Sequence, residues 1–304
     1  MNLPLKSLLP AIDFGWNHVR ERCALSTCHN KLLMRPVPHR GAGIRIGQEW
    51  YCSVDCFVAG ARSPLAALVA RRVMEMPRNP RLALGLALLS KGFLTEDRLR
   101  VATERSRQNG EDLETTLLRF GWTNDKELAA ARAAQWGYPV LSQQRAGTAV
   151  TVDIPPTVLR AFLAAPVFYS ESAKRLVLGF VERVDHRLLQ SIEQVTGCRA
   201  EPCFLTPAEF TGQLRRVAFP TGYQEVVVDQ PGEPAGMART LGRYALDVAA
   251  TEAGFVQCKT WVWARLTGKR RTVDVLFAKE SAAAAPIAAD SSFVPEDSSV
   301  ATHA

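Results

Sequence analysis

Between Leu82 and Val140 the apolar positions recur in two copies offset by 29 residues. Leu84, Leu88, Leu89, Gly92, Phe93 and Leu99 fall on Leu113, Leu117, Leu118, Gly121, Trp122 and Leu128. Within each copy the spacing is helical, so each reads as helix, turn, helix. Gly92 and Gly121 stand where the first helix of each copy needs a left-handed residue to end it. Thr95 and Asn124 stand where a short polar side chain can cap the second. The pattern predicts two helical hairpins packed through a leucine core.

Elsewhere the pattern changes. From Val152 short apolar strands alternate with helices: 156–163, 167–169, 175–180, 186–195, 199–205 and 207–217, an α/β arrangement. Glu225 to Val228 then reads as a strand and Gly236 to Ala253 as a helix. Gln257 to Leu266 and Arg271 to Phe277 read as a hairpin about Thr267-Gly268-Lys269. Near the N-terminus, Ile44 to Tyr51 suggests a hairpin, Ser53 a helix cap, and Ser63-Pro64 the opening of a further helix. Trp16 lies in a lead-in with no assigned role. The expected fold class is α+β and multidomain: a small zinc knuckle (17–62), a repeated helix-turn-helix bundle (63–143), an α/β subdomain (144–218), a C-terminal helix plus β-hairpin unit (224–280) and a disordered tail (281–304).

At 304 residues and 47% apolar content the chain can build two or three modest cores. Its net charge of +7 favours acidic partners, yet 29 of its 37 basic residues are Arg and no block of five or six consecutive basic residues occurs. A nucleic-acid partner is therefore not expected. The longest apolar runs, Pro64 to Ala70 and Ala161 to Tyr169, are far too short to cross a bilayer. No secretory signal is read at the start, so the expected location is cytoplasmic.

In a reducing compartment, crowded cysteines point to metal rather than disulfides. Cys23-x4-Cys28 and Cys52-x3-Cys56 supply the four thiols that close a tetrahedral structural zinc site. Cys52 precedes the Ser53 cap and Cys56 follows in the first turn, where the helix dipole favours thiolate. His29 or His39 could replace one ligand. Between Asn30 and Glu49 too few large apolar residues occur to offset the ordering entropy of so loop-rich a segment, so metal is expected to supply the difference. Cys198, Cys203 and Cys258 read as core residues. The run Trp50-Tyr51-Cys52-Ser53-x-x-Cys56 resembles the second half of treble-clef and MYM-type knuckles, although Cys23-x4-Cys28 departs from their two-residue spacing.

The repeat, closed by Gln135-Trp136-Gly137-Tyr138-Pro139-Val140, resembles the N-terminal domain of type II secretion and type IV pilus assembly ATPases, the GspE N-terminal or MshEN domain. The α/β stretch to about Val217 resembles the rest of that domain. Members that bind cyclic di-GMP carry two motifs beginning Arg-Leu-Gly and ending in Gln. The corresponding frames here are Ala83 to Ser106 and Asp112 to Gln135, with Arg107 to Glu111 between them. Where the motif's Arg would meet a phosphate, this chain has Ala83 and Asp112, and an aspartate there repels the diphosphate. Gly85 and Gln135 are kept, whereas Glu114 and Ser106 replace their counterparts; Arg81 lies two residues early and could compensate.

The resemblance implies a bacterial, non-catalytic adaptor or regulator of a secretion or pilus-like machine. Its expected partners are protein components of that machine. The alternative is a cyclic di-GMP sensor using Arg81, Gly85 and Gln135. A third reading has Trp261, Trp263 and Arg265, beside Lys269 to Arg271, stacking on single-stranded nucleic acid; the reading preferred over it packs the two Trp on the preceding helix and leaves the basic turn solvated. No ATP hydrolysis is expected, because Gly268-Lys269 lacks both the upstream Gly and the following Ser or Thr of a P-loop. His18, His186 and His303 have no evident catalytic partners.

Overall fold

The computed structural model describes residues 22–28, 43–71, 82–141, 150–229 and 232–279. Trp16, His18, His29, His39, Arg81, His303 and the tail from 281 lie outside the described residues. The described chain is a mixture of helices and strands, as expected, with the cysteine cluster near its start.

A short hairpin, β1 (Ile44–Ile46) and β2 (Glu49–Tyr51), leads into helix α1 (Val54–Ala70). The sequence places a helix start at Ser63-Pro64 and a domain boundary at 62/63; both fall inside this one continuous helix, with Pro64 in its interior. An internal proline costs about 3 kcal/mol. Phe57 and Leu65, on either side of it, are fully buried in one core. Their burial contributes about 1.5–3 kcal/mol each, enough to keep the helix intact.

The repeat forms α2 (Leu84–Ser90), α3 (Glu96–Asn109), α4 (Leu113–Arg119) and α5 (Asp125–Trp136). Its stop signals work as the pattern predicts. The Gly92 N–H donates to Leu89 O and that of Phe93 to Leu88 O, and the second copy repeats this with Gly121 to Leu118 O and Trp122 to Leu117 O. Gly92 and Gly121 have φ of 72° and 64°, so both helices end in a Schellman motif. Thr95 and Asn124 cap α3 and α5 by accepting from Arg98 N and Glu127 N. The copies exchange partners: α2 packs on α5, α3 on α4, around Leu88, Leu94, Leu117 and Leu128.

The next unit contains β3 (Val150–Thr151), α6 (Pro156–Ala161), β4 (Ala164–Ser170), β5 (Arg175–Phe180), α7 (His186–Thr196), β6 (Arg199–Phe204), α8 (Pro207–Arg215) and β7 (Val217–Ala218). β4 is antiparallel to β5, β5 parallel to β6 through the α7 crossover, and β3 parallel to β7. Leu141 N donates to Phe204 O and Phe204 N to Pro139 O, so the end of the repeat runs beside β6.

The last unit is β8 (Tyr223–Val228), α9 (Pro234–Asp247), β9 (Ala250–Cys258), β10 (Trp261–Gly268) and β11 (Thr272–Ala278). Two expectations are corrected here. The helix stops at Asp247, because Ala249 turns left-handed (φ 49°), and residues to Cys258 form a separate strand. A two-residue turn at Lys259-Thr260, with Lys259 at φ 52°, then divides the strand expected from 257 to 266.

β9, β10 and β11 are the centre of a six-stranded sheet ordered β2-β1-β9-β10-β11-β8. β1 lies parallel to β9, pairing Arg45 with Glu252 and Ile46 with Ala253. The segment carrying the cysteines thus shares a sheet with residues near 270. Alternation along β10 gives the sheet two buried faces. Trp261 and Trp263 face the α7 side, sharing a core with Leu188 and Ile192, while Val262, Ala264 and Leu266 lie under α1 and α9. No helix of the described residues is long and apolar enough to cross a membrane.

Candidate metal centre and the repeat site

The described thiols of Cys23, Cys28, Cys52 and Cys56 converge, all four sulfurs lying within 4.8 Å of one another. Local sequence explains how. Ala24 N donates to Trp50 O at 2.8 Å, which docks the first pair on the hairpin, and a turn from Leu25 to Cys28 closes at 3.2 Å. Gly43 makes room for the hairpin's Trp50: a Cβ there would lie 2.4 Å from the indole nitrogen. Cys52 follows β2 directly, and Ser53 Oγ accepts from Cys56 N at 3.2 Å, starting α1 with Cys56 in its first turn.

Cys28 and Cys52 are 3.5 Å apart and Cys52 and Cys56 3.8 Å. A disulfide needs about 2.05 Å, so these are separate thiols. Four thiolates about 2.3 Å from a central ion lie about 3.8 Å from each other, which matches the spacing. Cys23, Cys28 and Cys56 are buried, and burial first of all pushes the Cys56 thiol up. Thiolate there needs a compensating cation, which the dipole of α1 assists but does not replace. Four sulfur donors fill a tetrahedral ion, leaving no position for water.

The repeat uses its motif positions internally. Asp112 Oδ1 accepts from Thr115 N and Oδ2 from Thr115 Oγ1, both at 2.8 Å, which caps α4 and holds the Asp112 carboxyl below its usual range. Glu114 accepts from Arg132 Nη2, and Arg132 Nη1 donates to Val181 O at 2.7 Å. Burial pushes the Glu114 carboxyl up, and the Arg132 charge opposes that. Gln135 Nε2 donates to Leu82 O at 2.6 Å, and Ser106, its counterpart in the first copy, donates to Glu111 O at 2.6 Å. Since 111 is 82 plus 29, the two bonds are equivalent under the repeat. Gly85 is buried, and a Cβ there would lie 2.7 Å from Leu99 Cδ1. Gly85 and Gln135 thus both have internal work, and Arg81 lies outside the described residues.

The two Trp of β10 are packed on a helix, as the sequence reading preferred, but the helix is a different one and Arg265 is buried with them. Trp263 is fully buried and Arg265 is 4% exposed, so neither is a surface for nucleic acid, and the Trp pair packs toward α7 rather than α9. Asp274, fully buried on β11, accepts from Arg265 Nε and Trp263 Nε1 on Oδ1, and from Arg265 Nη2 and Tyr223 OH on Oδ2. Arg265 Nη1 also donates to Asp153 Oδ2 at 2.9 Å, joining the C-terminal sheet to the residues after β3. The sequence signal was an Arg and an Asp on facing strands at register positions otherwise apolar. Cys198, Cys203 and Cys258 are buried, as expected of core residues. His186 is close to Tyr138, with ring centroids 6.1 Å apart.

These features define an α+β protein with a cysteine cluster, a repeated helical hairpin and no matching family model. Over 161 residues, 50% of the chain, it is 29% identical to the type IV pilus assembly ATPase PilB of Thermus thermophilus. That stretch is 17% of PilB, so the chain spans a small part of the curated relative it matches. Solved structures similar to it include MshE with cdg, at 22% identity and a TM-score of 0.37, covering 45% of this chain and 99% of that one. The N-terminal domain of XpsE is similar at 22% identity and a TM-score of 0.34, covering 47% and 99%. The resemblance to pilus and secretion ATPases read from the repeat is thus met by a curated relative of that kind over half the chain.

Proposed function

We propose that this protein is a non-catalytic adaptor or regulator of a type II secretion or type IV pilus-like assembly machine. It acts through protein contacts of its repeat and α/β unit, in the cytoplasm, and holds one structural zinc at Cys23, Cys28, Cys52 and Cys56. The likeness to a pilus assembly ATPase over half the chain is the observation that carries the reading. It is supported by the sequence, which has no P-loop, and by the repeat, whose motif positions are occupied by caps and by the Glu114–Arg132 pair. Four converging sulfurs without an open position support a structural rather than hydrolytic ion. Affinity capture from a native lysate tests the adaptor reading: machine components should be recovered, and recovery of ribosomes or nucleic acid alone would contradict it.

A further inference from the structure

The zinc ligands sit at one end of α1, and α1 belongs to the C-terminal core. Its flank meets α9 where Gly242 lets the helices approach: a Cβ on Gly242 would lie 2.5 Å from Val58 Cγ2 and 3.5 Å from Val54 Cγ1. The far end of α1 is held by residues about 200 positions later in the chain. Lys279 Nζ donates to Leu68 O at 3.0 Å and Arg71 O at 2.7 Å, and Gln257 Nε2 donates to Arg71 O at 3.2 Å. Together α1 and α9 cover one face of the C-terminal sheet, where Val262, Ala264, Leu266, Val275 and Phe277 are all buried.

The hairpin that leads into α1 is held to the rest of the chain by little area: β1 and β2 are three residues each, β1 pairs with β9 only at Arg45–Glu252 and Ile46–Ala253, and Ile44 and Tyr51 are its two buried side chains. Metal binding at such a site is folding free energy, and here it is delivered into a core shared with the other end of the chain.

We infer that the cysteine cluster is a metal-dependent clasp: zinc binding locks the α1–α9 layer over the C-terminal sheet, and zinc loss uncovers that face. The inference rests on the zinc reading and goes beyond it, because it ties residues 232–247, which contain no ligand, to the metal. Linkage makes the tie reciprocal, so damage to the α9 side must weaken zinc binding. The opposite face, on Trp263 and α7, keeps its cover, and the helical repeat has its own core.

The test uses the full chain. Elemental analysis gives zinc per chain, and hydrogen exchange is followed before and after chelation. The expected result is one zinc, with exchange across Pro234–Asp247 accelerated at least about tenfold on its removal while 84–136 keep their protection. Gly242→Ala should then lower zinc affinity about tenfold against a competing chelator, although it touches no ligand. Lys279→Met, which removes the bonds to Leu68 and Arg71 without crowding the helices, provides the same readout if Gly242→Ala does not fold. Absence of zinc would end the metal reading itself. One tightly bound zinc, with α9 exchange unchanged by chelation and both variants holding zinc like the wild type, would overturn the clasp alone.

Discussion

Arg265 and Asp274 face each other directly across β10 and β11 and form a buried two-pronged ion pair, Nε to Oδ1 at 2.9 Å and Nη2 to Oδ2 at 2.7 Å. Trp263 and Tyr223 fill the remaining acceptor positions of the carboxylate. Removing Asp274 leaves the buried Arg265 with only the partly exposed Asp153 as its counter-charge, and breaking one side of a buried pair costs about 3–5 kcal/mol. Asp274→Ala is therefore expected to lower stability by that order in urea denaturation. Replacing both partners by apolar residues of similar size should cost less than Asp274→Ala; an equal or greater loss would show that the charge is not the cause.

Tyr223 adds a pH signature. Burial first, then the Asp274 charge, raises the phenol well above its ordinary value. Below the unfolded value of about 10 both states are protonated and the shift has no effect. Above it the unfolded chain ionises while the folded one resists, so stability falls as pH rises, by up to about 1.4 kcal/mol per pH unit. Tyr223→Phe should be about 1 kcal/mol less stable at pH 7, through loss of the hydrogen bond to Asp274. The gap should narrow above about pH 10, where only the wild type carries the ionisation penalty. Parallel stability curves for the two proteins would refute this.

Glu114 and Arg132 join α4 to α5, and Arg132 reaches on to Val181 in the α/β unit. Arg132 is buried and Glu114 about one-third exposed, so solvent reduces the loss on removing the acid to about 2 kcal/mol. Glu114→Ala is expected to show that loss, and Arg132→Met a smaller one, in thermal or urea unfolding. The reverse order would mean that the stranded guanidinium is not what costs.

Cyclic di-GMP is expected to give no calorimetric heat at millimolar ligand. Gln135 is committed to Leu82 O, and Asp112, which stands where the resembled motif has Arg, is a carboxylate capping α4 and repels a diphosphate. A saturable heat that disappears in Gln135→Ala would restore the sensor reading.

Much of this was legible in the chain. The offset of the repeat, the glycines ending its first helices and the caps Thr95 and Asn124 are local effects, set by φ sign and by one side chain near a helix start. The cysteine spacing brought four sulfurs together because tight turns and a helix start place ligands by short-range geometry. The misses are long-range. Nothing near Ile44–Ile46 says that this strand lies beside β9, and nothing near Pro64 says that packing on α9 outweighs a break. Lys259 takes a left-handed turn without Gly or Asn, so the hairpin at 258–261 gave no turn signal. That Trp263 packs inward was legible in the sequence, but only Asp274 on the next strand shows that Arg265 is buried on the same face.

The most direct measurement is quantitative capture. The full chain is immobilised, exposed to nuclease-treated native lysate, and compared with bare support. Inner-membrane assembly and motor components of a secretion or pilus-like system should be enriched, with no ATP turnover by the purified chain. Enrichment confined to ribosomal proteins or nucleic acid, or ATP hydrolysis that tracks with the purified protein, would contradict an adaptor.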